Sequence, residues 1–154
     1  MERKMRRIDR ALSEEETKAI LIGGEYGILS TASKDGQPYG VPLSYSYTEK
    51  SIYFHCAREG HVIDTVREND KVSFCVVGKT QVLPEKFSTK YQSVIVFGSV
   101  SEVSGDEKQK GLLELVKKYS GEFIKEGLRY LENDGGKTRV YKIVIGSMTG
   151  KARK

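Results

Sequence analysis

The chain has 154 residues, 38% of them hydrophobic and 31% charged. That is enough apolar material for one packed core, it is too mixed for a disordered chain, and it holds no apolar run near the ~20 residues that span a bilayer. The +5 formal charge sits at the ends: residues 1–10 hold five basic and two acidic side chains and residues 151–154 three basic ones, so the body is close to neutral. A single domain over 1–154 is expected, with solvated basic tails over 1–12 and 149–154 and no nucleic-acid surface.

The start MERKMRRIDR is basic, but no apolar stretch of a secretory signal follows it. SEEETKAILIGG then reads as a helix: Ser13 and Glu16 have the spacing of a capping box, and Gly23 and Gly24 can end it. YGILSTAS is a strand, Asp35-Gly36 a hairpin turn, and PYGVPLSYSYTE a second, longer strand. Pro42 cannot donate to a ladder, which places that stretch at an edge, a bulge or a ligand. SIYFHCA is the third strand, with Ile52, Phe54 and Cys56 on one face and Tyr53 and His55 on the other.

A short helix, HVIDTVREN, follows. KVSFCVVG and YQSVIVFGSVSEV are the next strands, joined by a connector, KTQVLPEKFSTK, with no clear period. DEKQKGLLELVKKYS is amphipathic, with Leu112, Leu113, Leu115, Val116 and Tyr119 as its apolar side. EFIKEGLRYLEN gives a further helix and TRVYKIVIGSM a last strand. Six mostly alternating strands with hairpin-length early turns predict a small antiparallel barrel with appended helices, not a doubly wound parallel sheet.

The usual nucleotide, zinc and hydrolase signatures are missing. GGKT, Gly135 to Thr138, lacks the first glycine of a phosphate-binding loop and precedes a strand, so it is a turn. Two cysteines, Cys56 and Cys75, make no disulfide framework, and a reducing cytoplasm is expected.

Polar chemistry concentrates between Ile52 and Asn69, at one strand-to-helix corner. His55, Cys56 and His61 are conceivable metal ligands, but His55 and Cys56 should point to opposite faces and no fourth ligand is near. An inward Cys56 makes a poor nucleophile. His55 and His61 can also be plain surface residues. An anion cradle fits the composition best. AREGH leads straight into a helix whose first N–H groups are unpaired, Gly60 permits close backbone approach, and Arg58, His61 and Arg67 add positive charge. GVPLSY, one strand earlier, offers a flat backbone to a planar ring, with Ser44 at its polar edge.

PYGVPLSYSY, IYFHCAREGHVID, KVSFCVV, YQSVIVFGSV and SMTGKARK together resemble the pyridoxamine 5′-phosphate oxidase-related flavoproteins, in particular their nitroimidazole-reductase-like branch. The resemblance runs from about Met5 to the C-terminus. It implies a six-stranded antiparallel Greek-key split barrel with helices, a homodimer, and flavin at the subunit interface, FMN usually and FAD in some relatives. It also implies roles for single residues. Gly40, Val41, Pro42, Leu43 and Ser44 line the ring and ribityl chain, and His55, Cys56 and Ala57 close on the flavin. Arg58, Gly60, His61, Val62 and Ile63 hold the phosphate, and Ser93 reaches the flavin of the other subunit. YGVPLS lacks the basic residues that the vitamin B6 oxidases carry there, so that substrate is not implied.

The function expected is an FMN-dependent oxidoreductase passing electrons to a small acceptor, such as a nitroaromatic, with His55 as the proton source. Tyr39, Tyr45 and Tyr91 are either substrate contacts or barrel packing. A flavin-binding sensor or carrier without turnover, and an RNA-binding barrel using its tails, are the alternatives.

Overall fold

The computed structural model describes residues 3–134 and 137–154. Gly135 and Gly136 of the predicted GGKT turn lie outside the described residues. The elements are α1 (Glu14–Gly23), β1 (Gly27–Ala32), β2 (Pro38–Leu43), β3 (Ser46–Thr48), β4 (Ser51–Cys56), α2 (His61–Glu68), β5 (Lys71–Leu83), β6 (Ser88–Val103), α3 (Gly105–Ser120), α4 (Ile124–Asp134) and β7 (Arg139–Arg153). The strands form one antiparallel sheet in the order β2-β1-β5-β6-β7-β4-β3.

The sheet has seven strands, one more than the sequence suggests. The long segment PYGVPLSYSYTE breaks at Ser44–Tyr45: its first half pairs with β1 and its second with β4, at opposite ends of the strand order. Only two residues join the two edge strands, so the sheet curls until its edges meet and Tyr45 fills the join, fully buried. The closure is incomplete. β2 pairs with β1 alone, and Phe54, His55 and Cys56 pair with β7 alone. Two unpaired edges therefore flank a split, and Pro38 and Pro42 lie on an edge strand, where a missing N–H costs no ladder bond.

Inward residues of the curl make the core. Leu29, Ile52, Phe54, Phe74, Val76, Val94, Val96 and Ile143 are inaccessible to solvent. Leu21 of α1 and Ile63 of α2 join the same cluster. A second cluster lies outside the barrel, where α3 and α4 set Leu112 and Leu131 against Tyr53 and Val140. β4 is therefore covered on both faces over its first four residues, Ser51, Ile52, Tyr53 and Phe54, while His55 stays exposed. Lys118 and Tyr119 pin α3 to the join. Lys118 Nζ donates to the Tyr45 carbonyl at 2.9 Å and lies 3.7 Å from the Tyr45 ring centre, and the Tyr45 N–H donates to the Tyr119 hydroxyl at 3.0 Å.

The capping box of α1 is present in both directions. The helix stops for a different reason than a left-handed cap: Gly24 is extended, and a Cβ there would sit 2.4 Å from both Tyr45 Oη and Val76 Cγ1. The Asp35-Gly36 turn is a five-residue link in which the Gly36 N–H donates to the Ser33 carbonyl at 2.9 Å and Gly36 takes φ 88°. The β3–β4 hairpin is less ordinary. Glu49 and Lys50 have φ 52° and 65°, a left-handed pair that costs about 1–2 kcal/mol per non-glycine residue.

The connector expected between the fourth and fifth strands is instead a ribbon. β5 runs on to Leu83, a short 3-10 turn covers Pro84–Lys86, and β6 pairs back from Ser88, with a register shift between Val77 and Thr80. Most of its residues are exposed, so no burial period marks them in the sequence. The tails are not free arms either. Ala11 bridges to Lys151, and the Leu12 N–H donates to the Gly150 carbonyl at 3.0 Å.

Candidate functional site

The strand-to-helix corner lies at the split. α2 is amphipathic and buries Ile63 and Val66 against the barrel, with Val62 half-buried beside them. That packing fixes the helix axis and sets its first turn at the sheet rim. The N-cap is Gly60, at φ 153°, and no side chain caps the helix. A Cβ on Gly60 would meet nothing within 4 Å. The N–H groups of His61, Val62 and Ile63 precede the first intrahelical bond, from Asp64 N–H to the Gly60 carbonyl at 3.2 Å. Unpaired donors, the positive end of the helix dipole and open space together suit an anion.

The loop before the helix is tethered. Arg139 Nε donates to the Arg58 carbonyl at 3.0 Å, while its Nη1 meets Glu102 at 2.9 Å. No sequence motif singles out Arg139; only the pairing of β7 with β4 places it opposite Cys56. The His61 ring stands 4.3 Å from the Tyr39 ring, which sets the start of α2 against the start of β2.

On β2, Val41 and Leu43 turn inward and pack on the core, while Gly40 and Pro42 face out. A Cβ on Gly40 would approach nothing closer than 3.6 Å, so the outer side of the strand is a flat, open strip. The side chain of Ile63 is thus part of the barrel core, while those of Val41, Leu43, Cys56 and Val62 pack on it and stay half-buried. Ala57 and Arg58 are exposed in the loop.

Ser44 and His55 come together elsewhere. They line a hollow of about 570 Å³ beneath α3 and α4, with Leu115, Tyr119, Tyr130 and Leu131. His61 is not among the residues lining it. Ser93 lies opposite Val77 and Lys151, on a strand separated from β2 by β1 and β5, so one chain does not unite it with the corner. Of the three tyrosines, Tyr45 is core, Tyr39 contacts His61, and Tyr91 accepts from Arg10 Nη1 at 3.3 Å.

Nucleophilic and metal chemistry find no support at the corner. Burial pushes the Cys56 thiol up, Glu102 adds to the rise and Arg139 opposes it; burial alone raises Cys75. Both should react with iodoacetamide at pH 7 more slowly than free cysteine and faster at higher pH, read by mass spectrometry. Rapid alkylation of Cys56 at pH 7 would restore the nucleophile. Among the described residues no group of three or more His, Cys, Asp or Glu could hold a metal ion, and no helix is long and apolar enough to cross a membrane.

The outer face of the sheet is apolar where barrel residues usually turn polar. Ile28, Cys75 and Ile95 are register neighbours across β1, β5 and β6, and Phe97 and Val77 flank them with 46% and 56% of their surface exposed.

Residues 13–152 match the family model of pyridoxamine 5′-phosphate oxidase. Solved structures share the fold over nearly the whole chain. A conserved hypothetical protein from Mycobacterium tuberculosis superposes with TM-score 0.82 at 19% identity, covering 97% of this chain and 90% of its own. A candidate 5-nitroimidazole antibiotic resistance protein from Bacteroides thetaiotaomicron gives 0.73 at 19%, covering 92% and 86%. A FAD-binding protein from Mesorhizobium loti gives 0.68 at 26%, covering 94% and 98%. No curated protein matched.

Proposed function

We propose, for a chain that belongs to the pyridoxamine 5′-phosphate oxidase family, a flavin-binding oxidoreductase that works as a homodimer and passes electrons to a small acceptor, a nitroaromatic among them. The observation that carries it is the uncapped start of α2 at Gly60, open beside the split and the flat outer strip of β2. When bound, the flavin supplies the electron transfer. The chain does the rest. The N–H groups of His61, Val62 and Ile63 hold the phosphate, with the Arg58 guanidinium and the His61 ring adding side-chain contacts. Gly40 and Pro42 give the planar ring an unobstructed backbone. His55 offers an imidazole proton to an acceptor lodged in the hollow beneath α3 and α4.

The strip of Ile28, Cys75, Ile95 and Phe97 favours a second copy of the chain, and a two-fold partner would bring its Ser93 face toward the corner. The nitro acceptor rests on the likeness to the Bacteroides protein and on the fit of a small aromatic to a hollow of about 570 Å³. Purified protein should be yellow or take up FMN with micromolar or better affinity in equilibrium dialysis, and FAD more weakly if the phosphate ends in the α2 cradle. Light scattering should give twice the 17.3 kDa chain mass. FMN that stays free in dialysis removes the function, and a monomer that binds it equally well removes the shared site. Turnover of a nicotinamide donor with an added nitro compound separates an enzyme from a carrier.

A further inference from the structure

A second cleft, of about 1060 Å³, opens between α1, β7 and the N-terminal segment, next to the β3–β4 turn. It lies at the other end of β4 from the α2 corner. Ser51 and Cys56 are separated by roughly 17 Å of extended strand, so the cleft and the corner are distinct. Its floor is apolar: Ile145, Met148 and Tyr47 are half-buried and pack on the barrel core from the other side. Ile8 stands at its edge with 74% of its surface exposed.

The rim has the opposite character. Lys4, Lys18 and Lys50 face the cleft against one acid, Glu14. Glu14 is already taken, 2.7 Å from Lys18 Nζ. Neither Lys4 nor Lys50 forms an ion pair among the described residues. Lys50 is also held in an unfavourable backbone conformation. It and Glu49 occupy the two left-handed positions of the β3–β4 turn, where asparagine and glycine usually stand. The turn is fixed on both sides: Glu49 pairs with Lys110 at 3.2 Å, and the Lys50 carbonyl accepts from Ile145 N–H at 3.4 Å. Positive φ at both residues is what a two-residue hairpin turn demands, and it fixes where Lys50 stands at the mouth of the cleft.

An apolar floor with surplus cations on its rim selects an amphipathic anion. We propose that this cleft binds an organic carboxylate with an aliphatic body, the body over Ile8, Ile145 and Met148 and the carboxylate at Lys50 and Lys4. A volume of this size accommodates a ligand of ten or more carbons.

The test compares decanoate with decanol, which share the chain and differ in charge. Both are titrated into the full-length protein, and displacement of 8-anilinonaphthalene-1-sulfonate fluorescence is followed at pH 7. Decanoate should bind at least about tenfold more tightly than decanol, the size of one charge-assisted contact. Lys50→Gln should remove most of that advantage while decanol and FMN affinities stay unchanged, and Ile8→Ser should weaken both ligands. Equal affinity for the two in the parent protein overturns the proposal. So does an advantage that survives in the Lys4→Gln, Lys50→Gln double variant, or a parallel fall in FMN affinity in Lys50→Gln, which would assign the lysine to the other site. The Ile8 and Lys50 variants tie the displaced dye to this cleft, and the result does not depend on whether FMN binds.

Discussion

Phe74→Ala should lower the unfolding free energy by about 3–5 kcal/mol, the range for truncating a buried phenylalanine. The ring is inaccessible to solvent on β5, between β1 and β6, and meets the Tyr45 ring edge-on at a centroid distance of 5.0 Å. Loss of that aromatic pair adds roughly 0.5–1.5 kcal/mol. A domain of this size is stable by about 5–15 kcal/mol, so the variant should unfold at a much lower denaturant concentration, compared at equal protein concentration. Gly27 provides the internal check. A Cβ on Gly27 would lie 2.2 Å from Phe74 Cε1, so Gly27→Ala should also be strongly destabilising. The clash vanishes when the ring is gone. The double variant should therefore be more stable than the sum of the single losses predicts, by about 1 kcal/mol or more. Strict additivity would mean that Gly27 is required for a reason other than the ring.

The same pair shows what a sequence of this kind discloses. Phe74 sits in a run, KVSFCVV, whose alternation declares a strand with one buried face, and it is buried. Gly27 declares nothing, because its requirement is the space occupied by a residue 47 positions away. Helix ends set by local chemistry, such as the Ser13–Glu16 box, were legible. The split of PYGVPLSYSYTE into two strands was not, since it depends on which distant strands pair with each half. The ribbon beyond Val77 was hidden for the opposite reason: with neither face buried in the barrel, no alternation was imposed on it.

At the corner, the uncapped helix start and the glycine before it were readable from AREGH, because both are local. The opposed faces of β4 were also readable, and they carry His55 away from Cys56 and into the hollow under α3 and α4. The hollow itself was not, because it needs two helices more than fifty residues downstream. Nor was the Arg139 tether, which follows from strand pairing alone. The basic tails look solvated by composition, yet a bridge between Ala11 and Lys151 draws them together, and a cleft rimmed by lysines forms beside them.

The largest effect on ligand binding is expected from His61→Asp, which puts a negative charge at the first residue of α2 while suiting the helix. An aspartate in the first turn interacts favourably with the helix N-terminus, by about 0.3–1 kcal/mol. Loss of the ring contact with Tyr39, 4.3 Å away, offsets roughly the same amount. Stability should therefore change by less than about 1 kcal/mol in chemical denaturation. A phosphate held by the same turn fares differently. It loses a charge-assisted contact of about 1.5–3 kcal/mol and gains a carboxylate beside it. FMN affinity should fall at least about 100-fold. Riboflavin has no phosphate, so its affinity should change by about threefold or less, and His61→Ala should lie between the parent and His61→Asp for FMN alone. Isothermal titration of both ligands into the three proteins decides it. Parallel losses of FMN and riboflavin, or an FMN affinity that survives the aspartate, would move the phosphate away from α2, and the open glycine at its cap would then serve the fold rather than a cofactor.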